Sequence, residues 1–366
     1  MPLTRPPLPS GPDPSVPDRE KPRMTAEPAA APVPLTPNQP RSFYRDSGAI
    51  ARFRRTAPTG DGYRPEDWVA STTSRFARSP AGLTTLPGGI RLADAVAADP
   101  GAWLGPEHTA AYGADTGLLV KLLDAGQRLP LHTHPDRAFA RAHLGSAHGK
   151  TEAWYVLDAA PSAEVRLGFA RDVTARELAG WVAAGDAGAM LDAVHRVPVA
   201  PGDALLCPAG MPHAIGAGVL LVELQEPTDF SVLLEWEGFA IDGAAEGHLG
   251  LGFDLALGGV DRRGLSAAAL DRLRGPGAAV GTGSVLPPGA DPYFRAELCR
   301  GEPAATLDAG FSVLVCLTGA GTLTCASGPP LDVAEGQTVL LPYAAGPTRL
   351  SGPVTALRCR PPAPGR

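Results

Sequence analysis

Two histidines one residue apart, His132 and His134 in LPLHTHPD, are residues whose type and spacing could do chemistry. In an extended strand, residues i and i+2 point to one face, so both imidazoles can approach a single ion. They belong to a longer frame, Gly126-x5-His132-x-His134. A second frame follows downstream, Gly202-x5-Pro208-x-Gly210-x2-His213. The Pro-x-Gly turn presents His213 from a facing strand, and Glu152 in GKTEAWY is placed to add a carboxylate. Three imidazoles and one carboxylate suit one divalent metal ion, Zn2+ first, with Mn2+, Fe2+ or Co2+ also accommodated. An isolated His-x-His is as often a pair of satisfied polar residues. Two glycine-anchored frames at fitting offsets favour the ion.

Lys150 stands two residues before Glu152, on the same strand face. The chain holds 29 arginines and only three lysines, Lys21, Lys121 and Lys150, so a lysine that remains is informative. An amine beside a dication loses its proton more readily than a free one, whereas guanidinium stays charged. Lys150 is therefore the candidate catalytic acid–base. Its blander reading is an exposed charge at a strand edge.

The elements that must position these residues are mostly strands. LLVKLLDAG, QRLPLHTHP, TEAWYVLDA and AEVRLGFA follow one another after Leu118, and HRVPVAPGDALLCPAG and GVLLVELQE complete the set. Between them, a Thr174-x-x-Glu177 capping box opens a helix expected to run to about Val194. A short helix is expected at LSAAALDRLRG. A second β region, with FSVLVCLTG, GTLTCA, GQTVLLP and VTALRCR, spans Tyr293 to Arg360 and contains no histidine.

The segments HPDRAFARAH, GKTEAWYVLDA, VPVAPGDALLCPAGMPHAIGAGVLLVELQEPTD and GQTVLLPYAAG resemble those of class I, zinc-dependent mannose-6-phosphate isomerases, in the cupin superfamily. The resemblance covers most of the chain after residue 41. It implies an all-β bicupin: a metal-binding catalytic cupin over 41–240 with a helical insert, a linker over 241–283, and a metal-free cupin over 284–366. It also implies aldose–ketose isomerisation, of mannose 6-phosphate or a related sugar, through a cis-enediol. Carried over position by position, the metal ligands are His132, His134, Glu152 and His213, with histidine standing at 132 where the family usually has glutamine. In the family the lysine matching Lys150 lines the substrate site. The family's arginine after its EIQQ-S-D stretch is replaced here by Leu233. Arg137, Arg141 and Arg171 are the candidates to replace it, and His143 and His148 are possible substrate contacts. A metal-binding sugar sensor and a metal-dependent dioxygenase remain open. The long insert between His134 and Glu152 speaks against the latter.

Residues 1–40 carry 13 prolines and little that could pack, so a disordered tail is expected there, or a start at Met24. A formal net charge of −6 gives no electrostatic footprint for nucleic acid or an anionic membrane. No apolar run is long enough for a membrane helix, and no secretory signal opens the chain. Five scattered cysteines fit a reducing cytoplasm. The expected partner is a small sugar or sugar phosphate, bound by a monomer or homodimer.

Overall fold

The computed structural model describes residues 30–75 and 80–365. The expectations for Met1 to Ala29, including the start at Met24, lie outside the described residues. Three antiparallel sheets carry the fold. The first has five strands in the order Glu66–Val69, Leu119–Ala125, Val219–Gln225, Glu152–Ala159 and Ala204–Cys207. A second five-stranded sheet runs Val232–Leu233, His132–Thr133, His213–Ile215, Glu164–Phe169 and Val194–Pro198. A nine-stranded sheet is built mainly from residues after 283. The mostly β architecture is as expected, with the sheets open and not closed into barrels.

Strand Leu119–Ala125 is buried at every position because both faces of its sheet are covered. One face, with Leu123, Trp154, Leu205 and Leu221, packs on Val165, Leu167, Val197 and Ile215 of the second sheet. The other, with Val120, Leu122, Tyr155 and Val222, joins Phe294, Leu298, Val313 and Leu357 of the nine-stranded sheet in one core. Helices that the sequence reading did not anticipate, among them Ala49–Arg54, Leu92–Ala98 and Pro100–Leu104, add Ile50, Leu92, Val96 and Trp103 to that core.

Two expectations are corrected. Residues up to 40 were expected to pack against nothing, yet Val33–Leu35 pairs with Thr338–Leu340 as the edge of the nine-stranded sheet. Asn38 then ties the chain down. Its backbone N–H donates to Asp67, and its side chain donates to the carbonyls of Trp68 and Gly82 at 3.1 and 2.8 Å. Prolines do not prevent an edge strand, whose outer N–H groups need no partner. The helix after Thr174 was expected to be continuous. It is two helices, Ala175–Ala184 and Ala187–Ala193, broken where Gly185 turns left-handed at φ 65° and Asp186 caps the second. Thr174 caps the first helix, accepting from the Glu177 N–H, but the box is only half made, because the Glu177 carboxylate bonds Arg171.

Candidate metal centre and cavity

Glycine sets the frame of both histidine motifs. A Cβ on Gly126 would lie 2.2 Å from the Asp46 backbone, so only glycine fits there. Gly210 takes φ +84°, and its N–H donates to the His134 carbonyl at 2.7 Å. That bond fastens the Pro-x-Gly turn to the strand that carries the first two histidines. His132 then pairs directly with His213 across the second sheet. The three imidazoles converge, with ring centroids 4.1 to 4.9 Å apart.

Their tautomers follow from their neighbours. The Nδ1 of His132 lies 2.8 Å from the Pro130 carbonyl, that of His134 2.7 Å from the Phe230 carbonyl, and that of His213 2.9 Å from the Met211 carbonyl. A carbonyl only accepts, so each Nδ1 carries the proton and each Nε2 presents a bare lone pair inward. Burial, and then neighbouring positive charge, keeps His134 neutral, its pKa pushed down to about 3. Burial also drives His132 well below the usual histidine range.

Glu152 reaches the same point from the first sheet. Its Oε2 lies 3.0 Å from His134 Nε2 and its Oε1 3.2 Å from His213 Nε2. Burial raises the pKa of its carboxyl. Lys150, His134 and His213 outweigh that effect and hold it well below the carboxylate range. Trp154 Nε1 donates to Oε1 at 3.0 Å, whereas Glu152 Oε2 and His213 Nε2 are buried without an aligned hydrogen bond. Lone pairs and a carboxylate facing one another in a dry interior call for a cation between them. A divalent ion held by His132, His134, His213 and Glu152 fits that demand, and the three histidines offer donor atoms within 4.8 Å of one another. Lys150 Nζ stands beside the cluster, 2.9 Å from His134 Nε2 and 3.1 Å from Glu152 Oε2.

His132, Lys150 and Glu152 open onto a cavity of about 900 Å³ between the two five-stranded sheets, ample for a sugar. A second polar cluster in this cavity escaped the sequence reading. Lys121 forms ion pairs with Glu66 at 3.2 Å and Glu223 at 3.5 Å, and lies over the Trp68 ring. Tyr44 and Trp68 each donate to Glu66 at 2.7 Å. Burial disfavours the Glu66 anion, but Lys121, Arg75 and these hydrogen bonds hold its pKa at about 2. Glu223 is pushed up to about 7, first by burial and then by the charge on Glu152. Two sequence signals pointed here. Lys121 is one of the three lysines, and Glu66-x-Trp68 repeats the spacing of Glu152-x-Trp154.

Of the residues expected to contact substrate, Arg137, Arg141, Arg171 and His143 are not among those that line this cavity. Arg171 is exposed, paired with Glu177 at 2.6 Å and stacked on Trp181, because the capped helix offers it a closer carboxylate. Arg137 bonds Glu226 at 2.5 Å and covers the Tyr293 ring. His143 is exposed at the end of helix Arg137–His143, packed on Phe139, and Arg141 is exposed on the same helix. His148 does line the cavity, bonded to Asp115 at 2.5 Å. Leu233 also lines it and pairs with His132.

No protein-family model matches the sequence. A mannose-6-phosphate isomerase of Streptococcus mutans is 39% identical over 127 residues, 34% of this chain and 39% of the relative. One from Bacillus subtilis is 39% identical over 112 residues, 31% of this chain and 34% of the relative. The chain thus spans about two fifths or less of the length of these curated relatives. The fold likeness extends further. The crystal structure of a mannose 6-phosphate isomerase from Bacillus subtilis superposes with a TM-score of 0.67 at 20% identity, covering 90% of this chain and 99% of that one. A mannose 6-phosphate isomerase bound with zinc and yttrium superposes at 0.68 with 14% identity, over 91% of this chain and all of the other. Over those segments the chain is similar in sequence to mannose-6-phosphate isomerases, and over most of its described length it shares their fold.

Proposed function

We propose that the protein is a metal-dependent aldose–ketose isomerase, interconverting mannose 6-phosphate and fructose 6-phosphate or a closely related pair. The observation that carries this reading is the convergence of three bare imidazole nitrogens, a buried carboxylate and a lysine amine at the edge of a sugar-sized cavity. A divalent ion on His132, His134, Glu152 and His213, Zn2+ first, would polarise the oxygens at C1 and C2 of an open-chain sugar. Lys150 is the group placed to move the proton between those carbons, through a cis-enediol. Lys121, held by Glu66 and Glu223, supplies a fixed positive charge on the same cavity wall. In this reading 41–240 is the working module, 241–283 connects, and 284–366 supports without a metal.

Leu233 in the cavity wall favours a second reading, in which a free aldose is the substrate. Leucine neither pairs with phosphate nor polarises a carbonyl. The experiment is isomerisation of phosphorylated and free aldoses by zinc- and manganese-loaded protein, followed in D2O. Turnover with deuterium incorporation at C1 or C2 is expected. A protein that binds one metal yet turns over no sugar would overturn the assignment.

A further inference from the structure

Cys207 is the cross-strand partner of Glu152 in the first sheet, so both side chains leave the same face toward the histidines. It is 1% exposed. Its Sγ, a Glu152 carboxylate oxygen and a His213 ring nitrogen all lie within 4.8 Å of one another. This donor group shares His213 with the three-histidine group. The two residues beside Cys207 in it each carry a buried atom that lacks an aligned hydrogen bond, Glu152 Oε2 and His213 Nε2. A thiol that only filled space would need no such company. Beside two unsatisfied donors it adds a soft ligand to an otherwise nitrogen and oxygen set, and thiolate selects thiophilic ions.

We propose that Cys207 is a further ligand position of this metal centre. A thiophilic divalent ion recruits it as thiolate alongside His213 and Glu152, the S–H bond breaking as the metal–sulfur bond forms and the proton being released to solvent. Harder ions such as Mn2+ leave it protonated and use the histidines and Glu152 alone. The inference rests on the metal-centre reading above and concerns which ions that centre prefers.

The test is spectroscopic and needs no turnover. Metal-stripped protein loaded with one equivalent of Co2+ should show ligand-field bands in the visible and a thiolate-to-cobalt charge-transfer band in the near ultraviolet. Cys207→Ala and Cys207→Ser should keep the visible bands and lose the near-ultraviolet one. Both should also bind Cd2+ at least about tenfold more weakly, the loss that even an outer contact of a metal ligand typically causes, with Mn2+ affinity unchanged. Visible bands without charge transfer in the unsubstituted protein would overturn the role of Cys207 and leave the centre standing, whether or not the variants fold. No cobalt bands at all would overturn the centre, and this assignment with it.

Discussion

Three residues decide the chemistry at the smallest scale. His134→Ala and His213→Ala should each leave the purified protein with less than one Zn2+ per chain, against one in the parent, as read by metal analysis. The remaining imidazoles keep their carbonyl-fixed tautomers but lose a donor. Lys150→Arg tests proton transfer directly, because guanidinium keeps the charge and does not titrate in the working range. If Lys150 shuttles the proton, kcat should fall about a hundred- to ten-thousand-fold with metal retained. A near-normal kcat with a changed KM would make it a substrate contact instead. His148 governs a pH effect. Its hydrogen bond to Asp115, then the Glu226 carboxylate 3.9 Å away, raises its pKa to about 9 against opposing burial. A raised pKa gives stability that is fully present below about 6.5, the free value, and fades as pH climbs through 9. The stability difference between the parent and His148→Gln, from denaturant titrations, should therefore shrink between those limits. A flat difference would show that the ion pair contributes nothing.

At the scale of elements, the histidine frames were legible because metal binding and tight turns demand particular residues at fixed offsets. The N-cap at Thr174 was readable for the same reason. The break at Gly185 and Asp186 could have been read from that dipeptide, but the apolar spacing ran on through it and hid it. Arg171 was misplaced because a sequence shows its charge and not the carboxylate of Glu177 that claims it. Lys121, Glu66 and Glu223 were hidden for a related reason. Their partnership exists only in strand register, with Glu223 opposite Lys121 and Trp68 opposite Lys121 on its other side. The edge strand Val33–Leu35 lay inside proline-rich composition that argued for disorder. A chain beginning at residue 41 should consequently melt at a lower temperature than one beginning at residue 30. Asn38→Ala alone should lower stability by about 1–3 kcal/mol, since it removes the side-chain donor to the Trp68 and Gly82 carbonyls. Equal melting temperatures for the two truncations would show that the strand pairs without stabilising.

For the whole molecule, one core joins the first five-stranded sheet to the nine-stranded sheet. Phe294→Ala, at a fully buried position of that core, should cost about 3–5 kcal/mol. It should lower a single melting transition shared by both modules, and two separate transitions in calorimetry would contradict this. Zn2+ should raise the same transition, by about 2.7 kcal/mol of stability at a hundred times its dissociation constant, and His134→Ala should abolish the rise. Leu119–Ala125 shows what such double burial entails. Lys121 faces the cavity while Val120 and Leu122 face the shared core. Because successive side chains alternate faces, a single inserted or deleted residue would exchange the two sets, driving the ammonium into hydrocarbon and turning Val120 and Leu122 toward the cavity. The strand is free to drift by substitution but closed to change in length. Loop lengths are therefore where related chains can diverge, and the spacing inside this strand is where they cannot.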